Sequence, residues 1–510
     1  MNPFALVRAL LLLLAISVSG CATTVDSDAP RIPSHALAEG TRTTLGQRFA
    51  TDQAANPGAS GFDLLASGRA ALLARVALAD AAEHTLDVQY YSVAQDATTE
   101  LLLERIIAAA RRGVRVRMLL DDIVVSTRAF ALRALSAEPT IQVRLFHPFF
   151  NQHALGIGRL LEFVVDGERL NRRMHNKLWV ADNAAAIFGS RNLGDAYFDA
   201  QGMGNFSDVD LIAVGPVVAD LSRGFDAYWN SRSAVPFVSR RVVGQDRIGS
   251  NDGLAARRVP TCPATGCDES SSDNLARLTF IWGRAEVTYD EPDSPKLPTP
   301  FGIQHGMAEG DLDANTQSEL LFISPYFIPG REGLAHLMAM RDRGVRIAVL
   351  TNLLASTDAA AAHAGYARYR AAMLEGGVEL FELRPEPGGP HPVQHLWGPA
   401  SPSSLHAKVV VIDRSRSIVG SLNQDPRSRL YNTESWVSIK SAPLAERLTD
   451  LFEEGTEPHH SFRLRLREEG IEWISEEGGR EVRYKDEPLA SSWKRLLKGL
   501  TSVFVPEALL

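Results

Sequence analysis

The sequence predicts an α/β protein of two tandem domains, because one stretch that combines strand-like and turn-like residues occurs twice. The copies read MHNKLWVADNAAAIFGSRN at Met174–Asn192 and LHAKVVVIDRSRSIVGSLN at Leu405–Asn423. Before each copy, short apolar runs alternate with amphipathic segments of helical length, a pattern typical of strands alternating with helices. Each half of the chain is therefore expected to form one domain around one copy.

The repeat extends well beyond the motif itself. An Arg-Gly-Val-Arg segment occurs in both halves, and its glycine lies 62 residues before the motif histidine, from Gly113 to His175 and from Gly344 to His406. A constant displacement of 231 residues without net insertion indicates a duplicated domain rather than a chance match of short motifs.

The elements are predicted from local patterns in chain order. In the first half we expect helices at Ala70–Ala82, Thr98–Arg112 and Pro216–Trp229, and strands at Leu86–Tyr91, Val114–Leu120, Ile141–Phe146 and from Phe206. In the second half we expect strands at Leu320–Ile323 and Leu405–Ile412, a helix at Gly333–Arg343, and a return strand at Ser417–Ser421.

The predicted domain limits follow from where these patterns begin and end. They are a signal peptide at 1–20, a tether at 21–60, a first domain at 61–245, an insertion at 246–316, a second domain at 317–460 and a C-terminal extension at 461–510. The insertion is rich in Gly, Pro, Ser and Asp, and we expect it to rim the substrate entrance.

The motif places a histidine and a lysine on one face of a strand, because side chains two apart point the same way. These pairs are His175 with Lys177 and His406 with Lys408. An aspartate, Asp182 or Asp413, follows seven residues after each histidine and completes the His-Lys-Asp signature counted here as catalytic. Seven is an odd number, so each aspartate is expected to point away from its own histidine and to shape the turn or support the site.

Together, the histidine, lysine and asparagine of each motif suit phosphodiester chemistry. A neutral imidazole can attack or accept a proton, a lysine holds negative charge, and an asparagine amide donates hydrogen bonds. Burying a lysine is costly without a counter-ion, so two such lysines imply an anion between them, most simply a phosphate. A histidine that only fills the core is the alternative, and it leaves both lysines unexplained.

These residues resemble the duplicated signature of the phospholipase D superfamily. Neighbouring segments are similar to the bacterial cardiolipin synthases of that superfamily: LDVQYY (Leu86–Tyr91), RGVRVRMLLDD (Arg112–Asp122), LNRRMHNK (Leu170–Lys177), HAGYARYR (His363–Arg370) and SSWKRLL (Ser491–Leu497). The resemblance extends from about residue 60 to the C-terminus. It implies two phospholipase D-like α/β domains, each a mixed sheet flanked by helices.

Each half offers one histidine and one lysine, so a complete site needs both halves about a pseudo-twofold axis, which one monomer can provide. Lys177 and Lys408 would hold the phosphate oxygens, and one imidazole would attack phosphorus while the other protonates the leaving oxygen. Substrate-binding or supporting contacts are expected from Ser190 and Ser421, and from Asn192 and Asn423 as amide donors to the phosphate. No metal and no cofactor is expected. Similarity to relatives implies that His175 is the nucleophile and that Asp208 and Glu434 orient the imidazoles.

The resemblance implies a transphosphatidylase that forms cardiolipin, with phosphatidylglycerol as acceptor and phosphatidylglycerol or phosphatidylethanolamine as donor. The alternatives are a hydrolase, either a phospholipase or a nuclease, and a non-catalytic lipid-binding lipoprotein. The net charge of −8 argues against nucleic acid as a partner.

The N-terminus predicts a membrane lipoprotein. Arg8 precedes the apolar run Ala9–Ile16, which is too short to span a bilayer, and Val18-Ser19-Gly20 leads into Cys21. That arrangement resembles a bacterial lipobox, with Cys21 lipidated; the alternative is an ordinary signal peptide with an incidental cysteine. Ala22 favours the outer membrane of a Gram-negative bacterium, with the enzyme facing the periplasm.

The two remaining cysteines and the C-terminus complete the expectations. Cys262 and Cys267 form an even pair in an oxidising compartment, so a local disulfide is favoured over a zinc site. Apolar residues recur at helical spacing from Trp493 to Phe504, with Lys494, Arg495 and Lys498 opposite. This amphipathic helix either packs on the core or binds the membrane surface, and the lipid-enzyme resemblance favours the membrane.

Overall fold

The structure, a computed structural model, describes residues 30–122, 129–149, 162, 165–200, 204–237, 271–294, 296, 316–385 and 403–495. The first half contributes nine described strands: β1 Ser60–Leu65, β2 Thr85–Tyr90, β3 Arg115–Asp121, β4 Ile141–Phe146, β5 Leu178–Ala181, β6 Ala185–Gly189, β7 Asn205–Ser207, β8 Asp210–Val214 and β9 Ala234–Pro236. Its longer helices are Gly68–Ala81, Ala97–Arg111, Ala129–Ser136 and Pro216–Trp229, and its shorter ones are Thr44–Arg48, Ala50–Ala55, Gly167–Asn171 and Ser271–Ala276.

The remaining strands are β10 Ile281–Tyr289, β11 Glu319–Ile323, β12 Arg346–Asn352, β13 Glu379–Leu383, β14 Ser403–Leu405, β15 Val409–Ile412, β16 Arg416–Gly420, β17 Ser435–Lys440, β18 Ser461–Arg467, β19 Gly470–Glu477 and β20 Arg480–Tyr484. The helices of the second half are Gly330–Asp342, Ala360–Ala367, Arg370–Glu375, Pro426–Leu430 and Ala442–Gly455.

The two halves form mixed sheets with matching strand orders. In the first, β9-β4-β3-β2-β5-β6-β8-β1 has β2, β3 and β4 parallel and the other pairings antiparallel. In the second, β18-β13-β12-β11-β15-β16-β17 repeats this pattern, with β11, β12 and β13 parallel. The predicted fold class, two α/β domains with mixed sheets flanked by helices, is confirmed.

The apolar strands pack on both faces, which explains their continuous hydrophobic runs. Val409 and Val411 of β15 belong to an apolar cluster that contains residues of both halves. The alternate residues Val410 and Ile412 belong to a cluster of the second half alone. The two sheets therefore share a core, and the motif strands β5 and β15 lie against it.

One strand from the predicted insertion at 246–316 joins the two sheets. Ser60–Phe62 of β1 pairs with Ile281–Gly283 of β10, and Arg284–Tyr289 of the same strand pairs with Ser435–Lys440 of β17. The sequence analysis expected an insertion at 246–316 and assigned no strand to residues 281–289. The mixed composition of the insertion concealed a strand that lies at the seam between the halves.

Two further predictions of domain organisation are corrected. Residues 30–60 of the predicted tether fold against the first half; for example, Arg117 Nη1 donates to the Ser34 carbonyl at 2.7 Å. Ser461–Tyr484 of the predicted extension is an antiparallel meander that continues the second sheet through β13. Its turn residues Gly478 and Gly479 have φ values of 56° and 78°. A Gly-Gly pair between alternating residues is a hairpin signal that the sequence interpretation missed.

Most predicted elements lie within a few residues of the observed ones, and Ile141–Phe146 and Pro216–Trp229 agree at both ends. The strand predicted at Leu405–Ile412 differs, because its paired part, β15, begins only at Val409. His406 and Lys408 lie on the connection between β14 and β15. Across the described ranges, no helix combines the length and apolar character needed to cross a bilayer.

Candidate active site

Each motif histidine is fastened to the opposite half of the protein through its backbone. His175 N donates to the Thr433 carbonyl at 2.8 Å, and His406 N donates to the Ser207 carbonyl at 2.8 Å. The parallel pairing of β14 with β7 continues the second of these contacts, and a bridge between Met174 and Thr433 matches it on the other side. The motifs of the two halves therefore meet at one pseudo-twofold seam.

The carboxylates that face the imidazoles are exchanged between the halves. His175 Nδ1 lies 2.9 Å from Glu434 Oε2, and His406 Nδ1 lies 2.9 Å from Asp208 Oδ2. Both carboxylates are fully buried. The sequence pointed to these two acids but did not indicate which histidine each one serves, because that depends on how the halves pack.

Serine hydroxyls hold the two carboxylates in place. Ser190 Oγ donates to Asp208 Oδ1, and Ser421 Oγ donates to Glu434 Oε2 at 2.5 Å. Glu434 Oε1 accepts a further bond from Ser428 Oγ at 2.9 Å. A carboxylate fixed in this way favours the imidazole tautomer with a proton on Nδ1, which leaves the Nε2 lone pair for chemistry.

Both motif lysines are buried, and no carboxylate of the described residues lies at salt-bridge distance from either. Lys177 Nζ donates to the His175 carbonyl, and Lys408 Nζ donates to the His406 carbonyl at 2.5 Å. Burial lowers the pKa of both lysines, and the nearby charge of Lys408 lowers that of Lys177 further. An anion bound between them would relieve both effects, because it pairs the buried charges.

The two histidine–carboxylate pairs differ electrostatically. Burial and the neighbouring lysines hold the pKa of His175 well below its ordinary value, whereas burial lowers the pKa of His406 against the opposing effect of Asp208. Burial alone would raise the pKa of Asp208, but His406 and Lys408 outweigh it and lower that pKa to about 2. Burial raises the pKa of Glu434, although Lys177 and Lys296 oppose the rise. The duplicated site is therefore asymmetric in charge.

Aromatic side chains that the sequence analysis did not single out flank both imidazoles. The Tyr91 ring lies edge-on to His175 at 5.0 Å, and the Tyr197 ring lies edge-on to His406 at 5.4 Å. Burial raises the pKa of Tyr91 to about 12, so its hydroxyl is neutral. Only the LDVQYY segment hinted at Tyr91, and no signal marked Tyr197.

The motif asparagines are not equivalent. Asn192 Nδ2 donates to the Tyr197 hydroxyl at 3.0 Å, and Asn192 Oδ1 accepts from Ser92 N at 3.3 Å. Asn192 thus positions Tyr197, whereas it was expected to donate to substrate. Asn423 Oδ1 is buried and has no hydrogen-bond partner in the described structure.

The motif aspartates lie away from the imidazoles, as the odd spacing predicts, and the structure gives them a positioning role. Asp182 accepts backbone N–H bonds from Glu83, His84 and Thr85, each at 2.8 Å. Asp413 accepts the equivalent bonds from Gln317, Ser318 and Glu319 at 2.7 to 2.9 Å. Each aspartate fastens the turn after its motif strand to the start of a neighbouring strand. The sequence analysis grouped both aspartates with the catalytic residues, and these backbone contacts give them a positioning role instead.

Several sequence-predicted residues lie outside the described residues. They are Cys21, Cys262 and Cys267, together with the part of the predicted C-terminal helix beyond Arg495. Among the residues that are described, one group has the chemistry to hold a metal ion: Glu457, His459 and His460, on the loop before β18. This group is not part of the histidine–lysine site.

The geometry agrees with comparisons to known proteins. The family model for the cardiolipin synthase, PLD-like domain matches residues 76–229 and 313–455. Cardiolipin synthase C of Escherichia coli (strain K12) is 38% identical over 467 residues, covering 89% of this chain and 97% of that protein. Cardiolipin synthase A of Pseudomonas aeruginosa (strain LESB58) is 24% identical over 377 residues, covering 73% of this chain and 62% of that protein. The crystal structure of phosphatidylserine synthase from Haemophilus influenzae Rd KW20 has the same fold, with a TM-score of 0.56 and 14% identity over 91% of this chain and 99% of that chain.

Proposed function

The chain belongs to the phospholipase D superfamily, among its cardiolipin synthase-like members, and on that premise we propose that it is a cardiolipin synthase. It is a phosphatidyltransferase of this superfamily. The proposed reaction joins a phosphatidyl group to phosphatidylglycerol and passes through a phosphohistidine. The observation that carries the proposal is the pair of exchanged histidine–carboxylate contacts around two buried lysines.

In the first step, one imidazole Nε2 attacks the phosphorus of the donor phospholipid, and the bond from phosphorus to the head-group oxygen breaks. The other imidazole, protonated on Nε2, gives its proton to that leaving oxygen. Lys177 and Lys408 hold the non-bridging oxygens, whose charge would otherwise be buried unpaired. We assign the attack to His175 by similarity to relatives. The fully ionised Asp208 supports His406 as the acid, because it stabilises the imidazolium.

In the second step, the hydroxyl of phosphatidylglycerol attacks phosphorus, its proton passes to His406, and the phosphorus–nitrogen bond breaks. This returns both imidazoles to their starting states. Water can resolve the same intermediate, so synthesis requires that water is excluded at this step. The deep burial of both histidines and both lysines supports that requirement.

We predict that vesicles containing phosphatidylglycerol yield cardiolipin in preference to phosphatidic acid. Thin-layer chromatography or mass spectrometry of labelled lipid measures the ratio, with phosphatidylglycerol alone and with added phosphatidylethanolamine to identify the donor. EDTA is included in every reaction. Activity should survive this chelator, because the two motif lysines neutralise the negative charge of the phosphate. Mainly phosphatidic acid, or ready cleavage of DNA, would support the hydrolase alternative.

We further propose that the mature protein is a periplasm-facing lipoprotein, more specifically of the outer membrane. Trp493 at the start of the C-terminal helix supports a membrane-facing surface, because this large apolar residue is 63% exposed. Intact-mass analysis of membrane-extracted protein should give a lipidated Cys21 as the first residue and a mass lower by two hydrogens for a Cys262–Cys267 disulfide. An unmodified Cys21 or two free thiols would each contradict its part of this prediction.

A further inference from the structure

A buried ion pair lies directly behind Glu434, the carboxylate that faces His175. Lys296 Nζ lies 2.6 Å from Asp290 Oδ2, and both side chains are more than nine-tenths buried. The same Asp290 oxygen accepts the backbone N–H of Glu434 at 2.8 Å. Lys296 Nζ also donates to the carbonyl of Ser428, whose hydroxyl binds Glu434 Oε1. The pair thus contacts Glu434 through its backbone and through the serine that holds its side chain.

The ion pair comes from the segment between the two halves of the duplication. We call residues 290–294 together with Lys296 the seam segment. It is fastened to the first half, because Asp293 accepts from Ser233 Oγ at 2.7 Å and the Tyr228 hydroxyl donates to the Asp290 carbonyl at 2.6 Å. The seam segment therefore connects the half that carries His175 to the acid that the other half supplies.

Comparison of the two halves shows what the ion pair replaces. Asp208, the acid facing His406, has the buried Arg191 behind it, and Arg191 Nη2 donates to the Asp208 carbonyl at 2.7 Å. The charge of Arg191 also helps to lower the pKa of Asp208. The duplication places Leu422 where Arg191 would be in the second half, so the second half lacks this cation.

We propose that Lys296, paired with Asp290, is a positioning residue for Glu434 and supplies from the seam segment the positive charge that Arg191 supplies to Asp208. Its role is to keep the Glu434 carboxylate ionised and aligned on His175 Nδ1. The proposal deepens the proposed function, because it concerns the same site and the same proton transfers.

The charge assignment depends on every ionisable group that faces Glu434. Lys177 and Lys296 favour the ionised form of Glu434, and burial opposes it. Among the described residues, further ionisable groups that interact with Glu434 include His175, Tyr91, Lys408, Tyr228, Asp290 and Asp425. Asp290 and Lys296 can be substituted while both motif histidines, both motif lysines and Glu434 itself are kept.

The test uses Lys296→Met, Asp290→Asn and the double variant, with full-length protein and a chromogenic phosphodiester as substrate. Loss of the Lys296 charge should raise the pKa of the His175–Glu434 pair, so the acid limb of kcat/KM moves to higher pH. A charge within a few ångströms shifts a carboxyl pKa by about one unit or more, which lowers kcat/KM by roughly tenfold on that limb. Loss of the Asp290 charge should move the acid limb of kcat/KM to lower pH. The acid limb of the double variant should lie between those of the two single variants. Lys296→Arg should stay near wild type.

A purely structural role predicts a different result. It would lower activity equally at all pH values, with no opposed shifts, and that outcome would overturn the proposal. Lys485→Met is the matched control, since it removes the same charge from an exposed pair with Glu469 and should not move the limb. Wild-type protein that cleaves the diester but forms no cardiolipin would contradict the proposed function and leave this test intact.

A second readout needs no turnover. Lys296 stabilises the ionised form of Glu434, so its contribution is present at pH values above the folded-state pKa of Glu434 and is lost below that value. In the Asp290→Asn background, Lys296→Met should therefore lower Tm more at a pH above that pKa than at a pH below it. An equal loss at both pH values would count against the proposal.

Discussion

His175→Ala and His406→Ala are each expected to lower kcat by roughly 10⁴-fold or more, because nucleophile and general acid act as one unit. The site contains one imidazole from each half, and each is oriented by a carboxylate of the other half. Neither half can therefore carry out both steps. Turnover of labelled phosphatidylglycerol in vesicles measures the loss, and trapping of labelled phosphate on one histidine identifies the nucleophile.

Two controls sharpen this test. His459→Ala changes a histidine outside the site and should keep near-full activity. An equimolar mixture of the His175→Ala and His406→Ala proteins should stay inactive if each monomer holds its own site. Near-full activity of either single variant would contradict the shared site, whereas recovery in the mixture would indicate a site formed between chains. Trapping on His406 would reverse the assigned roles and leave the shared site unchanged.

Asp208→Asn and Glu434→Gln should each lower kcat by up to about 10⁴-fold, the loss seen when a carboxylate that orients a catalytic histidine becomes an amide. The amide keeps the volume of the side chain but can donate to Nδ1, which favours the wrong tautomer. Steady-state kinetics should show the loss in kcat rather than in KM, since neither acid is expected to contact the substrate.

The two acid variants should differ in their pH dependence. The pKa of Asp208 is about 2, so this acid stays ionised throughout the working range. The pKa of Glu434 is raised by burial, so protonation of the His175–Glu434 pair should produce the acid limb of the rate profile. Asp208→Asn should retain that limb, and Glu434→Gln should change it. An acid limb that followed Asp208 instead would contradict the charge asymmetry.

The duplication made much of the fold predictable, because each half supports the interpretation of the other. The odd spacing from each histidine placed Asp182 and Asp413 away from the imidazoles, and similarity to relatives implied that Asp208 and Glu434 are supporting acids. The first inference needed only the spacing of residues within each motif, whereas the second needed the resemblance to a known family.

Other features depend on contacts that no local pattern encodes. Which acid faces which histidine depends on how the two sheets pack. Strand β10 pairs with β1 of the first sheet and with β17 of the second, although the composition of its segment indicated an irregular insertion. Tyr197 reaches His406 from a short 3-10 helix of the other half, Asp195–Tyr197, and its partner Asn192 was expected to donate to the substrate. Such tertiary placements override local propensity and composition.

The exchanged carboxylates make catalysis sensitive to the separation of the two halves. If the seam opened, His175 would lose Glu434 at the same moment that His406 loses Asp208, so nucleophile and acid would fail together. In a partly open molecule neither histidine would be oriented for catalysis. Such a molecule could therefore not hydrolyse lipid while the acceptor alcohol is absent. The crossed histidine–carboxylate pairs thus couple activity to domain closure, because both histidines are oriented for catalysis only while the two duplicated halves remain in contact.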